Sequence, residues 1–70
     1  MNGADVRGIR EKLSLSQSEF ADRYQISLRT LQEWEQGRPE PDGPVRAYLK
    51  VIARAPGAVR RALGVERKVS

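Results

Sequence analysis

The 70-residue sequence contains no cysteine and no histidine, and aromatic residues make up only 6% of it. The missing residues exclude disulfide bonds, the usual zinc ligands and catalysis by a Cys nucleophile or a His base. No apolar run is long enough to span a membrane, and no signal-peptide core is present. We therefore expect one small cytoplasmic domain over residues 1–70, without a cofactor or a metal, and with flexible ends at 1–3 and 65–70.

The charged side chains are distributed unevenly along the chain. The net charge is +4 and the isoelectric point is about 10.1, values that suit a nucleic-acid partner. Residues 1–50 carry equal numbers of acidic and basic side chains, so the whole positive charge belongs to residues 51–70. Two interpretations of this basic end remain open, namely a solvated segment and a surface that contacts phosphate.

The stretch from Ser16 to Gly37 predicts two short helices joined by a tight turn. Ser16 and Glu19 have the spacing of a capping box, which predicts a helix that begins at Gln17. Ser27 is a second N-cap candidate, and Gly37 can end the following helix in a left-handed conformation. Because only about three residues separate the two helices, they must cross steeply, as in a helix-turn-helix.

Small and apolar residues within this stretch fit such a crossing. Ala21 provides a small contact between the helices, and Ile26 can fill the angle between them. The pattern resembles the helix-turn-helix of Cro/lambda-repressor-type regulators, the XRE family, at Gln17, Phe20, Ala21, Tyr24, Ile26, Leu31, Trp34 and Gly37. The resemblance implies an all-α, lambda-repressor-like fold of five helices with the motif at helices 2 and 3. Gln25 departs from it, since the family usually has glycine there, and a left-handed backbone at Gln25 would cost roughly 1 kcal/mol.

The first predicted helix contains an arginine that we expect to be buried. Asp5 is its expected cap, after a frayed segment at residues 1–3. Arg10 lies on the inner side of this helix, and a buried arginine needs a carboxylate partner. We expect that partner to be Glu35, on the second motif helix, and several members of the XRE family have an Arg–Glu pair at these two places.

The last third of the chain predicts a stiff loop and two more helices. The proline-rich segment 38–44 excludes a helix, and the fourth helix should follow it to about Ala55. Pro56 then opens a fifth helix that Gly64 ends. We expect a homodimer contact at this end of the molecule, because more apolar residues occur there than one small core needs: Val59, Leu63, Val65 and Val69.

The exposed face of the second motif helix carries the expected contacts with double-stranded DNA. A helix fits the B-DNA major groove, where Arg can bind guanine, Gln can bind adenine and Glu can accept from cytosine. The candidate base-contacting residues are Arg29, Thr30, Gln32 and Glu33, with Gln36 on the same face. Leu28 can contact a thymine methyl group or pack under the turn, and we favour packing. Phosphate contacts are expected from Gln17 and Ser27, at helix N-termini, and from Arg38.

A narrower resemblance covers the segment from Ile9 to Leu63. The run RTLQEWEQGRPEPDGPVRAYLKVIARAP is similar to HigA- and NadS-type antitoxins of bacterial toxin–antitoxin operons. This implies a homodimeric repressor that binds the palindromic operator of its own operon, associates with the nucleoid through that DNA, and also binds a small toxin protein. With about eight residues before Ile9 and six after Gly64, we expect a toxin-binding arm to be absent or very short.

Two alternatives to an antitoxin remain open, and a third function, an enzyme, is not expected. A stand-alone phage-type repressor and a protein-interaction module that does not bind DNA remain the alternatives, and binding to one palindrome over random DNA would separate the second from a regulator. An enzyme is not expected, because Glu33 and Glu35 are two residues apart on a helix and do not face each other.

Overall fold

Five α-helices form the fold in the computed structural model, which describes residues 1–64. In chain order they are α1 (Gly3–Lys12), α2 (Gln17–Arg23), α3 (Leu28–Gln36), α4 (Gly43–Arg54) and α5 (Pro56–Leu63). The described range contains no β-strand. The predicted all-α fold of five helices is therefore confirmed, and α2 and α3 are the two helices of the motif. The expectation of a loose basic end at residues 65–70 lies outside the described residues.

The ends of α2 and α3 are set by residues within one helical turn of them. Ser16 Oγ accepts from Glu19 N at 3.0 Å, and Glu19 Oε1 accepts from Ser16 N at 2.8 Å, which completes the predicted capping box. Ser27 Oγ accepts from Thr30 N at 3.3 Å at the start of α3. Gly37 follows α3 with a φ of 82°, in the left-handed region that glycine adopts without steric cost. These helix ends confirm the predictions.

The start of α1 differs from the prediction. Asn2 is the N-cap, since Asn2 Oδ1 accepts from Asp5 N at 2.9 Å. Asp5 is the third helical residue, and its Oδ2 accepts from Asn2 N at 3.0 Å, which closes a second capping box. The expectation that Asp5 is the cap is therefore wrong. Asn is as good a cap as Asp, and a start at Gly3 lets both side chains satisfy a backbone N–H.

Gly3 is where α1 approaches the end of α3 most closely. It is helical and buried, so the expectation of a frayed segment at residues 1–3 is wrong at this residue. A Cβ placed on Gly3 would lie 2.8 Å from the carbonyl carbon of Glu35 and 3.2 Å from Gly37 N. Because both neighbours are backbone atoms, they cannot move aside as a flexible side chain would. Only glycine allows the two helices to pack at this distance.

The turn between α2 and α3 keeps a left-handed residue although the sequence has no glycine there. Gln25 has a φ of 58°, so a non-glycine residue takes the left-handed conformation there. Ile26 N donates to Ala21 O at 2.9 Å and closes the end of α2. From α4, the Tyr48 hydroxyl donates to Tyr24 O at 2.6 Å, a contact that the sequence did not predict. Burial raises the pKa of Tyr48, so its hydroxyl keeps the proton that this bond requires.

One hydrophobic core joins the helices. Its buried apolar residues are Val6, Phe20, Ala21, Tyr24, Leu31, Leu49, Ile52 and Val59. Leu63 is partly buried and packs against them. The expectation that Val59 and Leu63 leave surplus apolar surface is therefore wrong, because α5 lies against the domain and turns both side chains inward. Val65 and Val69, the other residues of that expectation, lie outside the described range.

Candidate nucleic-acid interface

Helix α3 has one buried side and one accessible side. Leu31 and Glu35 are buried, and Trp34 is partly buried against the core. The accessible side contains the candidate base-contacting residues: Arg29 and Gln36 are exposed, and Thr30, Gln32 and Glu33 are partly buried. The structure thus leaves the candidate contact residues of α3 accessible within the first six positions of the helix.

Arg29 and Glu33 form an ion pair one helical turn apart. Arg29 Nε lies 3.5 Å from Glu33 Oε2, and the two side chains are 87% and 44% exposed. An exposed pair of this kind contributes at most a few tenths of a kcal/mol to stability. Either side chain can therefore leave the other at little cost in free energy.

Leu28 lies in solvent at the first position of α3. It is 39% exposed, and it is one of two large apolar residues, with Val51, that are exposed within residues 1–64. The expectation that Leu28 packs under the turn is therefore wrong. Ile26 takes that space instead, because it is the residue of this pair that packs against the core.

The two ends of α3 place polar groups beside this face. Ser27 is exposed, and its side chain is already bonded to Thr30 N. The backbone N–H groups of Leu28 and Arg29 belong to the first turn, where a helix offers them no partner of its own. At the other end, Arg38 N donates to Glu33 O at 3.0 Å, while the side chain of Arg38 is exposed. Positive charge is thus available just beyond the helix.

Gln17 makes contacts that the sequence analysis missed. Its Nε2 donates to Glu35 Oε1 at 3.1 Å, and its Oε1 accepts from Gln32 Nε2 at 3.4 Å. Gln17 is partly buried at the first position of α2 and bridges α2 to α3. Spacing along the chain contains no signal for these bonds, since Gln17 lies 15 residues from Gln32 and 18 from Glu35.

A buried ion pair fixes α1 to α3 beneath this surface, as predicted. Arg10 Nε donates to Glu35 Oε2 at 2.7 Å, and Arg10 Nη2 donates to Glu35 Oε1 at 2.9 Å. Arg10 Nη1 also donates to Leu15 O at 3.0 Å. Burial raises the pKa of Glu35, but hydrogen bonds from Arg10 and Gln17 and the positive charges of Arg10 and Arg7 outweigh it and hold that pKa below its ordinary value. Glu35 is therefore ionised at neutral pH.

Residues 1–64 offer little for other chemistry. They contain no group of three or more acidic side chains placed to hold a metal ion. None of their helices has the length and apolar content needed to cross a bilayer.

Comparison with known proteins bears on the class of this chain. A helix-turn-helix family model matches residues 6–45. Antitoxin HigA-2 of Vibrio cholerae serotype O1 is 40% identical over 52 residues, which are 74% of this chain and 50% of that protein. This chain thus spans about half the length of that curated relative. A crystal structure of an HTH XRE-family-like protein from Agrobacterium tumefaciens is 52% identical, with a TM-score of 0.79, and the match covers 90% of this chain and 98% of that one.

The fold and these similarities together define the class as a helix-turn-helix DNA-binding domain of the kind found in regulators. The matched family model covers α2, the turn and α3 in full. The chain belongs to the XRE-type helix-turn-helix family. Its similarity to an antitoxin agrees with the narrower resemblance that the sequence carries between Ile9 and Leu63.

Proposed function

We propose that this protein binds one operator sequence as a homodimer and represses the operon that encodes it. The observation that supports the proposal most directly is the polar, accessible face of α3, which stands opposite the buried Leu31 and Glu35. A helix with its apolar side anchored and its polar side free can enter the major groove without disturbing the core. The similarity to XRE-type regulators supports the same mode of binding.

We assign two kinds of contact to the predicted residues. Base edges are contacted by Arg29, Thr30, Gln32 and Glu33, and the exposed Leu28 contacts a thymine methyl group. The DNA backbone is held by Gln17, Ser27 and Arg38, of which Arg38 contributes a positive charge beyond the end of α3. Contacts of the first kind select a sequence, and those of the second kind set the position of the domain on the duplex.

A homodimer would place two copies of α3 in successive major grooves. One α3 can contact only one half-site, so a palindromic operator requires a two-fold pair with the two helices about 34 Å apart. A small domain also gains stability when part of its surface is covered. Light scattering should give the mass of a dimer at micromolar concentration when operator DNA is present. A monomer both with and without DNA would contradict this part of the proposal.

We infer that the protein acts in the cell as an antitoxin. It is supported by the similarity to Antitoxin HigA-2, of which this chain spans about half. We therefore propose that the protein also binds a small toxin encoded beside it. The test is to express the adjacent open reading frame with and without this gene. Relief of growth inhibition by co-expression would support a toxin partner, and an adjacent gene without any effect on growth would favour a stand-alone repressor.

Two arginines separate base recognition from phosphate binding. Arg29→Ala should lose a contact worth about 1–3 kcal/mol, chiefly at one base pair per half-site, so that discrimination at that base pair relaxes. Arg38→Ala should weaken binding to all sequences alike and lower the salt dependence by about one counterion per subunit. Binding to the operator, to single-base variants and to random DNA across a salt series measures both effects.

The contrast between the two variants decides the assignment, because the loss of any positive charge weakens DNA binding to some degree. Equal losses for Arg29→Ala on every DNA would make Arg29 a phosphate contact and would move base recognition to Gln32 and Glu33. A protein that binds the operator no better than random DNA would overturn the proposed function and leave the protein-interaction module as the alternative.

A further inference from the structure

Helices α4 and α5 carry charge of one sign only. The segment 43–63 contains basic side chains and no Asp or Glu, whereas residues 1–42 contain both signs. The basic residues of α4 are Arg46, Lys50 and Arg54, and all three are exposed. They recur every four residues, which places them in one row along the helix. The ion pairs within residues 1–64 join side chains of α1 and α3, so none of them neutralises this row.

A row of this kind lowers the stability of its own helix. Like charges four residues apart repel each other, whereas a carboxylate at the middle position would attract both of its neighbours. Only one end of the row has a visible structural role, since Arg46 Nη1 donates to Pro41 O at 3.0 Å and holds the loop before α4. Lys50 and Arg54 present their charges to solvent. Their repulsion is relieved when an anion lies beside them.

An exposed apolar side chain lies among these cations. Val51 is 51% exposed, and Lys50, Val51, Arg54 and Ala55 line an open groove of about 550 Å³. We call these four residues the α4 patch. Leu28, the other large apolar residue that is exposed within residues 1–64, belongs to the predicted contact with DNA, whereas Val51 does not. An apolar centre with a charged rim is the arrangement found in protein–protein interfaces.

The charges of the α4 patch select the kind of partner. A second copy in a two-fold contact would bring Lys50 and Arg54 against the same two cations, and like charges across an interface repel each other. DNA phosphate would attract both cations, but a phosphate group has no apolar part that could cover Val51. A protein segment that presents an apolar side chain among carboxylates satisfies both requirements, because it neutralises the rim and removes Val51 from water.

We propose that the α4 patch binds an acidic segment of a partner protein, with an apolar side chain of that segment against Val51 and its carboxylates on Lys50 and Arg54. The inference goes beyond the proposed function, since no residue of the patch belongs to the predicted contact with DNA. Helix α4 packs mainly on α1 and α5, whereas α3 packs mainly on α1 and α2. The two surfaces are therefore built from different pairs of helices.

The experiment is a titration of the full chain, labelled with ¹⁵N, with a synthetic peptide of glutamates around one central leucine. Backbone amide resonances of Lys50, Val51 and Arg54 should shift and reach saturation. A peptide with serine in place of the leucine keeps the charge and should bind roughly 5-fold more weakly, because it cannot cover Val51. Val51→Ser should weaken binding of the leucine peptide by a similar factor, and should bind the two peptides equally.

A matched pair of lysine variants separates the patch from general attraction to a basic protein. Lys50→Glu should weaken peptide binding roughly 10-fold, through the loss of one attraction and the gain of one repulsion. Lys12→Glu, at an exposed position of α1, changes the net charge equally and should leave peptide binding almost unaffected. Lys50→Glu should also raise the melting temperature slightly, since it relieves the repulsion along α4, so unfolding cannot explain its loss of binding.

Several results would overturn the proposal. They are the absence of localised shifts at millimolar peptide, equal losses from Lys50→Glu and Lys12→Glu, and equal binding of the two peptides by the unaltered protein. A DNA duplex that shifts the same three amides and displaces the peptide would make the patch a phosphate contact. A dimer that Val51→Ser dissociates would make it an interface between copies. Binding of the peptide at the patch by a protein that recognises no operator would retain this proposal and overturn the proposed function.

Discussion

Removal of both partners of the Arg10–Glu35 pair should cost less than the two single removals added together. The side chains are 14% and 3% exposed, and two charged bonds of 2.7 and 2.9 Å join them. Arg10→Met leaves the buried Glu35 carboxylate with the Gln17 amide and the half-exposed Arg7, whose Nε lies 3.8 Å from Glu35 Oε1. Glu35→Gln leaves the Arg10 guanidinium without its bonded carboxylate. An uncompensated charge of this kind costs about 3–5 kcal/mol.

That cost is large for a domain of this size. A chain of 70 residues has a free energy of unfolding of roughly 3.5–10 kcal/mol, from about 0.05–0.15 kcal/mol per residue. Each single variant should therefore be close to its limit of stability. The double variant contains no buried charge at this place, so its loss should be smaller than the sum of the single losses by about 0.5–3 kcal/mol.

Urea unfolding followed by circular dichroism measures the cycle, with an osmolyte added to all four proteins if a single variant is unfolded in buffer. The matched control is Arg29→Met with Glu33→Gln, where the exposed pair should show a coupling below about 0.5 kcal/mol. Additive losses at Arg10 and Glu35 would refute the argument that the pair is a buried, mutually dependent unit.

The same pair predicts a dependence on pH. The pKa of Glu35 is lower in the folded protein than in the unfolded chain. A group of this kind contributes its full stability above the unfolded pKa of about 4.3, and that stability is lost as the pH falls through the folded value. As the pH is lowered from about 5 through the range in which carboxylates titrate, the unaltered protein should thus lose more stability than the Glu35→Gln variant. Equal acid sensitivity of the two proteins would contradict the assignment.

Two backbone positions give further predictions, each with a control in the same chain. Gly3→Ala should lose about 1–3 kcal/mol, because its Cβ would overlap the Glu35 backbone, whereas Gly8→Ala meets nothing within 4 Å and should gain about 0.5–1 kcal/mol. A stable Gly3→Ala variant would show that α1 can shift on α3. Gln25→Gly should stabilise the domain by up to about 1 kcal/mol or leave it unchanged, since Gln25 has a φ of 58°. As a control, Ser18→Gly in α2 should destabilise the domain by about 0.5–1 kcal/mol. A loss of stability in Gln25→Gly would contradict a strained turn. Thermal melts measure all four variants.

Much of the helix-turn-helix was determined by the sequence alone, because its signals act over a single helical turn. Ser16 with Glu19, Ser27 and Gly37 satisfy backbone groups three or four positions away, so their effect does not depend on the rest of the fold. The conformation of Gln25 was left open by the sequence, and the structure shows it to be left-handed. The pair of Arg10 with Glu35 was predictable because helical periodicity places both on inner faces.

The tertiary structure decided whatever depends on the angle at which two helices meet. The exposure of Leu28 and the burial of Val59 and Leu63 follow from how α3 and α5 lie on the core. The sequence alone predicted the opposite exposure for all three side chains. The close approach at Gly3 requires backbone atoms from the end of α3, more than 30 residues away in the sequence.

The contacts of Gln17 show the same limit at the candidate site. Sequence placed Gln17 at the start of a helix and predicted a phosphate contact from that position. Only the packing of α2 on α3 brings its amide between Glu35 and Gln32, at 3.1 and 3.4 Å. A side chain's own type determines which bonds it is able to form. The neighbours that supply those bonds come from distant parts of the chain, and they are set by the packing of the whole domain.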